Sequence, residues 1–177
     1  MKAIIPVAGH GTRLEPHTLI RQKCLLPVAG KPVLEHILDR LTGASITNIT
    51  LIIGHLGEQV RNYCNTYSKA KFTFVEQTEQ LGLGHAVYQG LDQSEEPVVI
   101  VLGDSILELD YKKLISSKHS TIGVDRVKDP QRFGIVKLDG DRIISMVEKP
   151  ENPPSNLALI GIYYISSQKE LSEGLES

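Results

Sequence analysis

Cysteine is nearly missing from this sequence, with only Cys24 and Cys64, too few and too far apart for a disulfide scaffold or a zinc knuckle. Both are expected to be reduced and structural. Long apolar runs are missing too: none approaches the roughly 20 residues that span a bilayer. The opening MKAIIPVAGHG lacks the apolar core and cleavage pattern of a signal peptide, so a soluble cytoplasmic protein with no membrane partner is expected. An excess of one charge is also absent. The net charge of −2 gives no whole-chain footprint for nucleic acid, so any basic groups must act locally. The six histidines show no HExxH or similar spacing, and His10, His17 and His85 are read as loop residues rather than zinc ligands. Internal repeats and low-complexity tracts are not seen.

What is present suits one substantial core: 177 residues, 41% of them hydrophobic. Lys2 to Val7 reads as a buried strand that delivers a glycine-rich loop. From Pro32, placed in a first turn, the residues Val33, Leu34, Ile37, Leu38 and Leu41 recur at helical spacing, with Gly43 just past the end. Strand and helix then alternate. Strands are expected at 48–53, 72–75 and 98–102, with helices over 56–67 and 84–91. Such alternation predicts an α/β, Rossmann-like fold with a mixed, mostly parallel sheet and helices on both faces. Tyr63 and Tyr67 fit a helix face as packing residues.

After 111–117 the texture changes to strands near 120–127, 134–138 and 143–147, separated by short polar turns that favour antiparallel pairing. Asp139-Gly140 is a hairpin signal. A proline-rich loop follows, then a strand LALIGIYYI and the beginning of a helix. The chain is expected to be one domain over 1–177, truncated at its C-terminus.

Ala8 to about Lys31 is a long connection and therefore a candidate functional element. Gly9 and Gly11 let backbone N–H groups approach phosphate oxygens, Arg13 can grip phosphate as a fork, and Lys23 adds a point charge. The dinucleotide fingerprint is excluded because the third glycine is missing, and a Walker loop because no GKS or GKT follows. Alone, the segment reads equally well as an ordinary turn carrying a solvated arginine.

Taken together, Ala8-Gly9-His10-Gly11-Thr12-Arg13-Leu14-Glu15-Pro16-His17-Thr18, Gln22-Lys23-Cys24-Leu25-Leu26-Pro27-Val28 and Lys31-Pro32 resemble the signature of the sugar-1-phosphate nucleotidyltransferases, such as glucose-1-phosphate thymidylyltransferases and uridylyltransferases. The resemblance extends from Lys2 to about Ile165 and implies the nucleotide-diphospho-sugar transferase type of fold. It implies that Ala8, Gly9, Gly11 and Thr12 bind the nucleotide, with Arg13 and Lys23 as catalytic cations. Gln22 departs from the proline usual before the lysine, and His10 from a small residue.

Glu76-Gln77 and Gly82-Leu83-Gly84-His85-Ala86 are similar to the family segment that reads the base, through Gln77 and Gly82. Read alone, this segment is a polar strand-to-helix turn. Asp104, after the strand VVIVL, is where open α/β sheets bind ligands, and in the family this aspartate binds Mg²⁺. Its bland role would be a cap. Asp129 to Val136, Val147-Glu148-Lys149-Pro150 and Pro154 to Ala158 follow the family's sugar-phosphate order. This implies Gly134, Glu148, Lys149 and Gly161 as acceptor-binding residues, although Glu148-Lys149 alone reads as a surface ion pair. Residues 1–117 would then bind nucleotide and 118–177 sugar phosphate.

The resemblance implies transfer of a nucleotidyl group from dTTP or UTP to a sugar 1-phosphate, with glucose 1-phosphate first among acceptors and Mg²⁺ as cofactor. A homo-oligomer is compatible with it. Two other readings stay open: a non-catalytic regulatory module of the same fold, and a cytidylyltransferase for a small alcohol phosphate.

Overall fold

A computed structural model describes residues 1–92 and 94–176. It divides into two compact units: Met1–Thr121 with the chain from Tyr163 onward, and Ile122–Ile162.

In the first unit, β1 (Lys2–Pro6) leads into the long connection. That connection is not the open loop its composition suggested. It folds into a 3-10 turn at Thr12–Leu14, α1 (His17–Ile20), a second 3-10 turn at Lys23–Leu25 and a small hairpin of β2 (Pro27–Val28) and β3 (Lys31–Pro32). Then come α2 (Val33–Gly43), β4 (Asn48–Ile53), α3 (Gly57–Cys64), β5 (Lys71–Glu76), α4 (Leu83–Gly90), β6 (Val98–Val101) and α5 (Tyr111–Ile115). The expected helix over 56–67 is shorter because Leu56 adopts a left-handed conformation (φ 53°) that helix geometry excludes, and the helix stops at Cys64. His85 lies in the first turn of α4 and His17 opens α1, so neither is a loop residue.

β1 pairs in parallel with β4 on one side and β6 on the other, and β4 pairs in parallel with β5. Successive strand residues point to opposite faces. One set, Ile4, Ile52, Val98 and Ile100, is buried against Ala86 and Val87 of α4. The alternate set, Ala3, Ile5, Leu51, Ile53, Val99 and Val101, is buried as well, and Gly57 of α3 lies against Ile53 there. Both faces are therefore covered, which explains the nearly unbroken apolar strands. Tyr163, Ile165 and Leu171 add to the α4 side of the core.

Tyr63 and Tyr67 are packing residues, their hydroxyls donating to Glu35 and Asp39 of α2. Cys24 and Cys64 are free and buried. No helix among the described residues is long and apolar enough to cross a membrane.

The second unit is antiparallel. It is entered by β7 (Thr121–Arg126), continues through β8 (Gly134–Asp139) and β9 (Arg142–Glu148), and is left by β10 (Leu157–Ile165). Its hairpin turns at Gly140 (φ 58°) with Asp139 opposite Arg142, as the Asp-Gly signal predicts. The closing helix is α6 (Gln168–Glu176), in the first unit.

Candidate active site

The chain runs from β1 to β4 and β5 on one side, whereas β6 pairs on the other. The carboxyl ends of β1 and β6 thus flank a topological switch point, where open α/β sheets form ligand crevices. A cleft of about 340 Å³ opens there. Its walls carry Ala8, Gly9 and Gly11 from the glycine-rich turn, Lys23, Asp104 after β6, and Gln77 with Gly82 on the far side.

The turn has to be glycine at position 11. Its φ is +68°, and a Cβ there would lie 3.0 Å from Thr18 Cγ2 and 3.2 Å from Lys23 Cβ. Thr18 Oγ1 donates to Gly11 O at 3.0 Å. Gln22, which is only 2% exposed, fixes the turn from inside. Its Nε2 donates to Val7 O and, at 3.3 Å, to Gly9 O, while Oε1 accepts from Cys24 N at 2.6 Å. Its backbone N–H donates to Gln59 Oε1 at 3.0 Å. One carboxamide thus joins the end of β1, the glycine turn and the segment that carries Lys23. Gln80 Nε2 and His55 N both donate to Ala8 O, at 3.3 and 3.2 Å. The rings of His10 and His55 stack at 4.5 Å.

Lys23 Nζ lies 2.5 Å from Asp104 Oδ2, with both side chains partly exposed. Such a pair contributes at most about 1 kcal/mol to stability, so an anion on the lysine and a cation on the carboxylate can replace it at little cost. Asp104 reaches this place because Gly103 lets β6 pass close to β1: a Cβ there would lie 2.4 Å from Val7 Cγ1 and 2.8 Å from Pro6 O. Among the described residues there is no group of three or more His, Cys, Asp and Glu able to hold a metal ion. A lone carboxylate at a phosphate site does suit Mg²⁺, which keeps waters and takes most other ligands from substrate phosphates. Cys24 also lines the cleft, but burial pushes its thiol far above the ordinary range, so it is no thiolate nucleophile.

On the opposite wall Gln77 is buried, its N–H donating to Ile53 O at 2.8 Å and its Nε2 to Gly82 O at 3.2 Å. Gly82 (φ 102°, ψ −175°) caps α4 in a conformation open essentially to glycine alone.

Thr12 and Arg13 are not in the cleft wall; both are exposed on the 3-10 turn that follows Gly11. Gly134, Glu148, Lys149 and Gly161 all lie in the second unit. There Gly134 is the register partner of Glu148, and a Cβ on it would come within 3.0 Å of Glu148 Oε2 and 2.9 Å of Leu159 Cδ1. Lys149 has φ 42°, its N–H donates to Phe133 O at 3.0 Å, and its Nζ pairs with Glu148 at 3.0 Å in the open. Gly161 (φ 85°) lies two residues beyond Leu159 on β10. Gln22, Gln80 and Gly103 escaped sequence reasoning as site residues. Gln22 had one visible signal, its replacement of a proline.

Residues 2–170 match the family model described as nucleotidyl transferase, and the chain belongs to that family. It is 41% identical over 164 residues to the bifunctional protein GlmU of Methanocaldococcus jannaschii, covering 92% of this chain and 39% of that one. With the glucose-1-phosphate thymidylyltransferase of Streptomyces antibioticus it shares 35% identity, over 94% of this chain and 49% of the relative. The chain thus spans less than half the length of these two relatives. A solved structure of UDP-glucose pyrophosphorylase complexed with UDP-glucose superimposes with a TM-score of 0.88 at 25% identity, over 99% of this chain and 79% of that one. The fold is accordingly the mixed, mostly parallel α/β type of these transferases.

Proposed function

We propose that the protein transfers a nucleotidyl group from UTP or dTTP to a sugar 1-phosphate, with glucose 1-phosphate the first acceptor to try, and releases pyrophosphate. The observation that carries this reading is the convergence of a glycine turn, Lys23 and Asp104 at the β1/β6 switch point, with Gln77 and Gly82 across the cleft. The names of the thymidylyltransferase and pyrophosphorylase relatives agree with it.

In this reading an oxygen of the sugar phosphate attacks the α-phosphorus in line. The new P–O bond forms as the bond to the bridging oxygen breaks, and pyrophosphate departs with that electron pair. Catalysis of this kind depends on positioning and charge neutralisation, not on a covalent nucleophile. Gly9 and Gly11 bring backbone donors to the triphosphate. Lys23 leaves Asp104 for the phosphate under attack, and Arg13, exposed on the turn after Gly11, is the second cation for the triphosphate. A Mg²⁺ held by Asp104 and phosphate oxygens would supply further neutralisation of the triphosphate. Glu148 accepts from sugar hydroxyls, Lys149 holds the acceptor's phosphate, and Gly134 and Gly161 give the sugar room.

The test is pyrophosphate release from UTP, dTTP, CTP and GTP with glucose 1-phosphate and Mg²⁺, with Arg13→Ala alongside. Release that requires the sugar phosphate and is lost in Arg13→Ala supports the reading and names the base. Tight triphosphate binding without release, with every sugar phosphate offered, replaces it with a non-catalytic binding module.

A further inference from the structure

The orientation of a buried carboxamide decides whether it offers a donor or an acceptor, and in this cleft that orientation is determined by neighbours. Gln77 Nε2 lies 3.2 Å from Gly82 O and 3.2 Å from His85 Nδ1. A carbonyl oxygen only accepts, so the nitrogen end of Gln77 must be the one facing Gly82. An NH₂ group carries two hydrogens. With one on Gly82 O, the other points at His85 Nδ1, which must then accept, and the imidazole proton sits on Nε2.

The other side of the ring accommodates the same tautomer once the Gln89 amide is turned. His85 Nε2 lies 3.3 Å from the carboxamide nitrogen of Gln89, while Gln89 Oε1 is buried with no partner. A half-turn of that amide places Oε1 against the Nε2–H and removes the donor–donor contact, with the NH₂ group taking the enclosed position that the oxygen leaves. Amide ends are assigned from such networks, and this assignment gives Gly82 O, the Gln77 NH₂ and both ring nitrogens of His85 complementary partners.

We propose that His85, itself outside the cleft lining, is a positioning residue for base selection. Held as the Nε2–H tautomer by Gln89, it commits the second hydrogen of Gln77 and leaves Oε1 as the group Gln77 offers to a base. An acceptor there favours uracil and thymine, whose N3–H donates, over cytosine, whose N3 carries a lone pair. The proposal rests on the nucleotide-binding reading above and adds to it the relay that gives Gln77 its sense.

The test has two parts, both on the whole chain. The ¹⁵N shifts of the His85 ring identify its tautomer without any nucleotide; Nε2–H is expected, and Nδ1–H overturns the proposal. Binding of UTP and CTP is then compared in the parent, His85→Leu, His85→Asn and Gln89→Leu. The UTP preference is expected to fall about fivefold in His85→Leu, the size of one neutral hydrogen bond. It should survive in His85→Asn, whose Oδ1 can accept in place of Nδ1. Gln89→Leu reads the same relay one bond further out, and should lower the preference even if His85→Leu does not fold. Equal loss for both nucleotides, or an unchanged ratio in both leucine variants, overturns the proposal. Failure of the parent to bind either triphosphate removes the nucleotide-binding reading itself, and that outcome is separable because the tautomer is measured independently.

Discussion

Lys23 Nζ and Asp104 Oδ2 stand 2.5 Å apart across 81 positions of sequence, joining the segment after the glycine turn to the end of β6. The pair is half-open to solvent and holds little of the fold. Lys23→Ala and Asp104→Asn are therefore expected to unfold within about 1 kcal/mol of the parent. Pyrophosphate release should fall by about a hundredfold or more, as when a group that stabilises developing charge is removed. Thermal unfolding beside the release assay checks both halves.

Gln22→Leu should behave in the opposite way. It leaves Val7 O and Cys24 N without the buried carboxamide they share, a loss of about 1–3 kcal/mol for each buried group left unsatisfied, while Gly9 O, on an exposed residue, turns to water. Gln22→Pro is the sharper comparison. The native φ of −60° suits a proline ring, so the backbone tolerates the change, but both the carboxamide and the N–H that donates to Gln59 are gone. Urea unfolding is expected to show both variants folded and clearly less stable than the parent.

Gly103→Ala places a methyl group against Val7 and against the Pro6 carbonyl, which is backbone and cannot swing away. A cost of about 1–3 kcal/mol is expected, together with weaker triphosphate binding as the ends of β1 and β6 are forced apart. Calorimetry of unfolding and of nucleotide binding on the same sample reads both.

Asp39 supplies a pH prediction. Burial opposes its ionisation, but hydrogen bonds from Lys31 and Tyr67 and the charges of Lys31 and Lys69 outweigh that and hold its carboxyl below the usual range. A lowered folded value means its contribution is fully present above the unfolded value of about 3.9 and is lost as pH falls through the folded one. The stability gap between the parent and Asp39→Asn should stay level from pH 7 to about 5 and narrow below about 4, as measured by urea unfolding across that range.

Much of this was legible before folding. The alternation of apolar strands with helical stripes marks the parallel unit because burial on both faces needs unbroken apolar strands. Gly9, Gly11 and Lys23 lie close in sequence, and Asp104 ends a strand, a place with known geometry. Other features were not legible because they depend on where the chain bends. Leu56 turning left-handed shortens α3, and no composition rule forecasts that. Gln22 looks like a polar neighbour of Lys23 until the turn wraps round it. Arg13 looks inseparable from Gly11, yet the 3-10 turn carries it off the cleft wall.

The second unit is a single uninterrupted stretch of sequence, while the first is resumed after it. On the proposed reading, donor recognition and acceptor recognition are therefore encoded in separable blocks of a gene. Recombination at two points, near residues 121 and 163, would exchange one acceptor-recognition cassette for another and leave untouched every side chain that grips the triphosphate.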